Sequence, residues 1–264
     1  MTAFEDGAGT FFRPRDQAFP EATEEAWRRA DAYDPGARTA DGQWLLRFRC
    51  FAIQLDNGDT VLVDTGIGPV DAPAAAWAPV PGHLPDEMAA AGIAAGDVST
   101  VVISHVHTDH IGWAVVGETP YFPNARYVLQ RAEYDAVEAI NPALRDRLLA
   151  PLEHSGQLHL VTGTSALGRG LSTVHTPGHT PGHQCVLLDD GGDVVAVTGD
   201  LLVHAVQLLD PSTPYALEVD PAQARESRVH LLDSIAAVGG IIATAHLTEP
   251  FSPARPMPAS EAGG

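Results

Sequence analysis

The sequence contains no lysine, two cysteines and no long uninterrupted apolar segment. All 15 basic residues are arginines, against 34 acidic residues, which gives a formal net charge of -19. This charge repels phosphate backbones and anionic membrane surfaces, so we expect neither a nucleic acid nor a membrane as partner. Cys50 and Cys185 both fall in predicted strands. We expect them to be reduced core residues rather than a disulfide.

The apolar stretches are short. Glycine, proline or a charged residue interrupts each one before it reaches the length of a membrane span. Residues 1–7 lack a basic region followed by a long apolar run, so no secretory signal is predicted. We therefore expect a cytoplasmic protein. With 264 residues, 45% of them hydrophobic, and no internal repeat, the chain is predicted to form one large domain.

Composition divides the chain into an N-terminal arm (residues 1–43), a central domain (44–250) and a loose tail (251–264). The arm is rich in charge, proline and glycine, yet it carries several aromatic residues, among them Phe11 and Phe12. Aromatic residues in so polar a segment predict packing on the domain itself, on a partner subunit of a homodimer, or at the mouth of a pocket.

The central domain alternates strand and helix patterns, which favours a layered α/β architecture. The residues after the strand 101–103, from Ile111 on, are expected to begin a helix. Strands are predicted at 44–55, 60–63, 101–103, 126–129, 158–161, 171–174, 184–188, 194–197 and 241–245, and helices at 21–29, 85–95, 131–140, 142–149 and 221–238.

The first chemical motif follows the strand 101–103 and holds four metal-ligand side chains within six positions, His105, His107, Asp109 and His110. Alternate residues of an extended chain point the same way, so the first two histidines are predicted to bind one ion. The other two ligands turn the corner and face a second ion. A lone histidine here is more often an ordinary polar residue, but four ionisable groups beside an apolar strand indicate metal binding.

Three later strand ends supply further candidate ligands. His179 lies at the centre of a loop made rigid by two prolines and two glycines, one of each on either side of it, and we assign it to the first ion. Asp200 ends a buried strand after Gly199, a position suited to a carboxylate that bridges two cations. His246 ends the last predicted strand and is assigned to the second ion.

Taken together, the motif His-x-His-x-Asp-His and the separated His, Asp and His resemble the metallo-β-lactamase superfamily. The likeness covers about residues 45 to 250 and includes the Asp64-Thr65-Gly66 turn. It implies an αββα sandwich and a metal-bridging hydroxide between two divalent ions, usually Zn²⁺, with Mn²⁺, Co²⁺ or Fe²⁺ as alternatives. The full ligand set is similar to the dinuclear branch of quorum-quenching lactonases and methyl-parathion-hydrolase-like enzymes.

This resemblance implies hydrolysis of a small hydrophobic ester or lactone, or of a phosphotriester. Asp109 is expected to orient the nucleophile and to pass a proton to the leaving group. Many lactonases of this kind carry a tyrosine shortly after the bridging aspartate, whereas this chain offers His204, either a proton donor or substrate contact or a helix-surface residue. Asp64 and His183 are expected to support the ligands from behind, and Trp77, Phe11 and Phe12 to line the substrate pocket.

Two other classes use the same frame. A mononuclear iron oxidoreductase similar to persulfide dioxygenases is the main alternative, and the identity of the metal and the involvement of Asp109 would separate it from a hydrolase. A nuclease would need a basic path for the strand, which a chain of this charge does not show. A purely structural metal site closes its coordination shell, whereas this ligand set leaves room for water.

Overall fold

The nine predicted strands, joined by the unpredicted β1, β9 and β14, form two facing six-stranded sheets in a computed structural model, which describes residues 1–168 and 170–256. The first sheet has the order β1-β2-β3-β4-β7-β8 and the second the order β14-β13-β12-β11-β10-β9. The strands are β1 (Thr2–Thr10), β2 (Leu45–Gln54), β3 (Thr60–Val63), β4 (Val98–Val102), β5 (Val115–Val116), β6 (Thr119–Pro120), β7 (Arg126–Gln130), β8 (Leu158–Val161), β9 (Ser165–Gly168), β10 (Leu171–His175), β11 (Gln184–Asp189), β12 (Val194–Val197), β13 (Ile241–Ala243) and β14 (Phe251–Pro253).

Helices cover both outer faces of this pair of sheets. Their bounds are α1 (Arg15–Ala18), α2 (Glu24–Tyr33), α3 (Leu84–Ala90), α4 (Arg131–Ile140), α5 (Ala150–His154), α6 (Ala205–Leu209) and α7 (Pro221–Ala237), with a π-helical turn at Arg145–Leu149 before α5. Among the described residues, none of the helices is long and apolar enough to cross a bilayer.

Alternation along the strands builds three layers of core. In β3, Val61 and Val63 point between the two sheets, where they meet residues such as Val197 of β12. Leu62, between them, points outward and packs with Met88 of α3. A third cluster joins the outer face of the second sheet to α2, α6 and α7. The predicted αββα sandwich is therefore confirmed.

The N-terminal segment differs from the predicted arm because its first residues belong to the first sheet. Thr2–Thr10 pairs antiparallel with β2, with an irregularity between Glu5 and Gly7. Asp6, at this irregularity, accepts backbone hydrogen bonds from Ile67 and Leu84. The segment TAFEDGAGT has little strand propensity of its own, so its strand depends on these tertiary contacts.

The helix predicted at Ile111 is wrong. Gly112 N donates to Gly66 O at 2.7 Å and Trp113 N donates to Thr65 O at 2.9 Å, so this stretch runs beside the turn after β3. A Cβ on Gly112 would lie 2.2 Å from the carbonyl carbon of Ile67, which leaves no room for a side chain. Turns and the short β5–β6 hairpin follow instead.

The predicted loose tail begins with a strand, because β14 (Phe251–Pro253) pairs with β13 at the edge of the second sheet. Residues 257–264 lie outside the described residues.

Strand direction brings the motifs to one edge of the sandwich. Strands β3, β4 and β7 run parallel, as do β12 and β13, so their carboxyl ends lie at the same side of the two sheets. The predicted ligands all follow such ends or lie in the loop between β10 and β11.

Candidate metal centre

The first group of ligands is built from two loops. His105 Nε2 lies 2.9 Å from His107 Nδ1, and His179 Nε2 lies 3.0 Å from the same atom. One ring nitrogen cannot serve two such neighbours as a hydrogen-bond partner, because it has either one proton or one lone pair to offer. Three nitrogens converging in this way match a cation site, where ligand nitrogens about 2.0–2.1 Å from zinc surround the ion.

The second group lies beside the first and shares a carboxylate with it. His110 Nε2 and His246 Nε2 lie 3.5 Å and 3.6 Å from Asp109 Oδ2. Asp200 lies between the groups: its Oδ1 is 3.1 Å from His110 Nε2 and 2.9 Å from His246 Nε2. Its Oδ2 is 3.2 Å from His179 Nε2, on the side of the first group. The structure thus brings together all seven predicted ligands as two clusters with a common carboxylate.

Hydrogen bonds behind the rings fix which nitrogen faces inward. Ser104 Oγ donates to Asp64 Oδ2 at 2.8 Å and so accepts from His105 Nδ1, at 3.0 Å. His110 Nδ1 donates to the same carboxylate at 2.8 Å, and His246 Nδ1 donates to the Arg47 carbonyl at 2.7 Å. Each of these rings therefore keeps the lone pair of its Nε2 for the centre of the site.

Asp64 is placed by an unusual backbone conformation. Its φ is 60°, in the left-handed region that a residue with a side chain seldom adopts. This turn at the end of β3 directs the carboxylate to Ser104 N, which donates to Oδ1 at 2.7 Å, and to the Ser104 hydroxyl and His110 Nδ1 described above. Asp64 therefore lies behind the ligands, in contact with His110 and Ser104.

His183 also lies behind the ligands. Its Nδ1 donates to the Thr176 carbonyl at 3.1 Å, and its Nε2 accepts from the backbone nitrogen of Asp200 at 3.1 Å. Burial lowers the pKa of His183 to about 3, so the neutral ring keeps the lone pair that this contact requires. His183 thereby orients the backbone that carries the shared carboxylate.

The pKa values of the histidines are shifted in opposite directions in the two clusters. Burial, with the neighbouring His179, lowers the pKa of His107 to about 3, and burial also lowers the pKa of His105 well below its usual value. Burial would lower the pKa of His110 too, but the carboxylates of Asp200, Asp109 and Asp64 raise it well above that value. Carboxylates that stabilise a proton here attract a metal cation by the same electrostatics.

Unpartnered atoms show that the residues fit metal ions. His110 Nε2 and Asp200 Oδ1 are buried and hydrogen-bonded to no described residue. Buried polar atoms of this kind are costly unless something satisfies them. Imidazole nitrogens and carboxylate oxygens in two groups that share an aspartate are a donor set for two divalent cations of the zinc type.

The clusters form the floor of a pocket with a volume of about 320 Å³. Its upper part is mainly apolar, and no arginine lies among the described residues that line it. The lining residues outside the ligand set are Phe11, Phe12, Trp44, Leu46, Trp77, Val106, Thr108, Ile140, Asn141, Val203, Tyr215 and Leu217.

The three predicted pocket residues all line this cavity. Phe11 and Trp77 meet edge to face, with ring centroids 5.8 Å apart, and Phe12 packs on Trp77 at the same distance. Trp77 Nε1 donates to Thr108 Oγ1 at 3.0 Å, and this hydrogen bond connects the three aromatic residues to the loop that carries the first ligands.

His204 is not where the prediction puts it. Its Nδ1 accepts from Val206 N at 3.0 Å and thereby caps α6, and its ring packs against Phe19, Trp27 and Trp44. Burial lowers the pKa of His204 to about 3, and the residue does not line the pocket. The segment before residue 44 folds over it, so His204 is a helix cap in the core and contacts neither the ligands nor the cavity.

Tyr215 takes a place in the pocket that the sequence does not indicate. Its ring stacks on the ring of His179 with an interplanar angle of 6° and a centroid distance of 6.0 Å. Its backbone nitrogen donates to Glu218 Oε2, and Glu218 Oε1 accepts from the buried Arg228 at 2.7 Å. No local motif marks Tyr215, because its position depends on this ion pair formed across the loop that precedes α7.

The metallo-β-lactamase superfamily matches residues 49–246, which is most of the chain. The chain belongs to the metallo-β-lactamase superfamily. This confirms the resemblance drawn from the histidine motif.

Among its curated relatives are N-acyl homoserine lactonases. One from Bacillus sp is 33% identical over 93 residues, which is 35% of this chain and 34% of that protein. The lactonase AttM of Rhizobium radiobacter is 36% identical over 113 residues, covering 39% of this chain and 40% of the relative. The chain therefore matches between about a third and two fifths of the length of these relatives.

Solved structures share the fold over nearly the whole chain. The hydrolase AbOPH of the β-lactamase superfamily has a TM-score of 0.77 and 22% identity, and the match covers 94% of this chain and 87% of the AbOPH chain. AidC, a dizinc quorum-quenching lactonase in complex with its product, has a TM-score of 0.74 and 21% identity, with the same coverage.

Proposed function

We propose that the protein is a hydrolase that holds two zinc ions and cleaves a neutral, hydrophobic ester or lactone. The observation that carries this proposal is the shared carboxylate: Asp200 joins two clusters of ligands on the floor of an otherwise apolar pocket. Relatives described as N-acyl homoserine lactonases support a lactone as the bond that is cleaved.

When bound, two divalent ions supply a hydroxide nucleophile at neutral pH and polarise the bond under attack. The protein itself fixes the orientation of the ligand side chains. Asp64 and His183 hold the ligands in fixed orientations, so little reorganisation is needed when substrate binds. The aromatic wall of Phe11, Phe12 and Trp77 excludes bulk water from the floor.

We assign proton transfer to Asp109. Its Oδ2 faces His110 and His246, and the carboxylate also lines the pocket. This arrangement leaves Oδ1 for the reacting groups, where it takes the proton of the nucleophile and delivers it to the leaving alkoxide.

Tyr215 supplies the hydrogen-bond donor that the prediction sought in His204. Its ring is held over His179 and the residue lines the pocket, whereas His204 lies in the core. A phenol is protonated at neutral pH, and an ester or lactone offers only acceptor oxygens. We therefore propose that Tyr215 donates to the carbonyl oxygen of the substrate.

The pocket wall favours an uncharged substrate with an apolar substituent. No arginine among the described residues lines the cavity, so the pocket wall offers no cationic side chain to a polyanionic substrate. An alkyl or aryl group instead gains contacts with the aromatic rings near the entrance.

A substrate panel tests the proposal. Purified protein loaded with zinc, cobalt or manganese is assayed on acyl-homoserine lactones of increasing chain length, on aryl esters and on a phosphotriester. We expect turnover of lactones or aryl esters with about two ions bound per chain. Absence of hydrolysis, with oxidation of a persulfide by a form that holds one iron, would establish the mononuclear alternative instead.

A further inference from the structure

Glu133 is a completely buried carboxylate that the proposed reaction does not use. It lies in the first turn of α4, directly after β7. A buried carboxylate is costly unless its oxygens are hydrogen-bonded, so its partners indicate the reason for its presence.

Both oxygens of Glu133 bind the loops that carry the first cluster. Val106 N donates to Oε1 at 3.0 Å, and Gly182 N donates to Oε2 at 2.8 Å. Val106 lies between His105 and His107, and Gly182 follows His179 by three positions. One carboxylate thus joins two loops that are far apart in sequence and that together supply all three imidazoles.

The loop around Gly182 is built to approach this helix closely. A Cβ at that position would lie 2.2 Å from the backbone nitrogen of Glu133, so only glycine allows the loop to lie against the first turn of α4. The contact brings the Gly182 N–H within hydrogen-bond distance of the carboxylate.

Glu133 also adds charge. Apart from the shared Asp200, the ligands of the first cluster are imidazoles, which are neutral when they bind a metal. Burial raises the pKa of the Glu133 carboxyl, and the two backbone N–H donors described above oppose that shift because they stabilise the charged form. A buried negative charge behind such a cluster strengthens its attraction for a divalent cation.

We infer that Glu133 is a positioning residue that sets the affinity of the His105, His107 and His179 cluster for its metal ion. It acts by holding the two ligand loops in register and by supplying a buried negative charge. This inference rests on the metal centre of the proposed function, but not on the identity of the substrate.

The test is a titration of metal-free protein with Co²⁺, in which the visible absorption of the bound ion measures how much metal has bound. Glu133→Gln keeps the shape of the side chain but loses its charge and one acceptor. We expect it to weaken one of two binding steps by roughly 10- to 100-fold and to leave the other far less affected. Glu133→Asp keeps the charge but is too short to reach both loops, so its affinity should lie between those of wild type and Glu133→Gln.

Glu153→Gln is the matched control. Glu153 accepts a hydrogen bond from Tyr134, a neighbour of Glu133 on α4, at 2.6 Å, but it is exposed and bonds neither ligand loop. Its titration should match that of wild type. The unfolding temperature of each metal-free variant shows whether the fold is retained, and Glu133→Asp decides the question if Glu133→Gln does not fold.

The outcomes separate the two proposals. If wild type binds two Co²⁺ ions and both Glu133 variants bind them as tightly, the inference is overturned and the metal centre stands. If the variants only lower the unfolding temperature, Glu133 is structural and the inference is again overturned. If wild type binds no Co²⁺, the metal centre itself fails, and the role of Glu133 fails with it.

Discussion

The floor of the pocket consists of the seven candidate metal ligands, and its wall consists of the other lining residues, Tyr215 included. The two are assembled in opposite ways. The floor takes four of its seven ligands from one stretch, His105 to His110, and the others from the loops that follow β10, β12 and β13. The wall takes each part from a different place: Phe11 follows β1, Trp77 lies in the loop before α3, and Tyr215 lies before α7.

Because of this difference, the residues proposed to bind metal are held by other contacts than the residues proposed to select the substrate. The floor is stabilised by hydrogen bonds among residues at strand ends, as between Asp64 and His110, so its geometry follows from the sheets. The wall depends on loops with contacts of their own, such as the ion pair of Glu218 and Arg228. We expect changes in the floor to reduce the amount of bound metal, and changes in the wall to alter stability, turnover or substrate range while the metals stay bound.

The largest expected effect comes from the floor. His107→Ala removes the nitrogen that lies within 3.0 Å of both His105 and His179. Bound metal, measured by plasma mass spectrometry, should fall from about two ions per chain to about one, and lactone or ester turnover by on the order of 10³-fold or more. His159→Ala, at an exposed position of β8, should change neither quantity. Full activity of the His107 variant would remove that residue from the centre.

A change in the support of the wall should affect stability first. Arg228 is fully buried and donates to Glu218 and to the carbonyls of Pro211 and Thr213. Arg228→Ala leaves the Glu218 carboxylate buried and unpaired, which should lower the free energy of unfolding by about 3–5 kcal/mol.

Urea unfolding measures this loss. Arg255→Ala removes a largely exposed pair with Asp233 and serves as control, with little expected change. The folded fraction of the Arg228 variant should still hold both ions. Loss of metal from that fraction would show that metal binding at the floor depends on the support of the wall.

Removing one hydroxyl from the wall should slow turnover without touching the metals. Tyr215→Phe keeps the ring that stacks on His179. The rate constant kcat should fall by roughly 10- to 100-fold, because a donor to an oxygen that gains negative charge is lost, while KM and metal content stay close to wild type. Tyr121→Phe, which packs on Trp113 away from the pocket, is the control. An unchanged kcat would remove Tyr215 from the reaction.

The smallest effect should depend on the substrate. Trp77→Ala removes the ring that Phe11 and Phe12 pack against at the entrance. The ratio kcat/KM should fall by about tenfold for substrates with long alkyl or aryl groups, and far less for an acetyl ester, because only the former bury surface there. An equal loss for both substrates would show that Trp77 acts through its hydrogen bond to Thr108 on the floor rather than through the wall.

The sequence was sufficient for most of the fold and for the floor of the site. Strand and helix patterns follow local periodicity, and α4 and β12 have the predicted bounds. The ligands are recognisable because His105, His107, Asp109 and His110 are chemically distinctive and closely spaced, and parallel strands deliver the remaining ligands to the same edge.

Features that depend on tertiary contacts were missed. Strand β1 forms because β2 offers an edge and Asp6 receives backbone donors from other loops. His204 has the sequence position of a pocket residue, but the aromatic rings of Phe19 and Trp27 enclose it in the core. Tyr215 reaches the pocket through an ion pair that no local pattern reveals.

The most direct test of the shared carboxylate is electron paramagnetic resonance of the protein loaded with Mn²⁺. Asp200 directs one oxygen to His179 and the other to His110 and His246, so two bound ions should interact magnetically. We predict an exchange-coupled spectrum that is complete at about two ions per chain and is lost in Asp200→Ala. Saturation at one ion, or a spectrum of two isolated ions, would contradict the account.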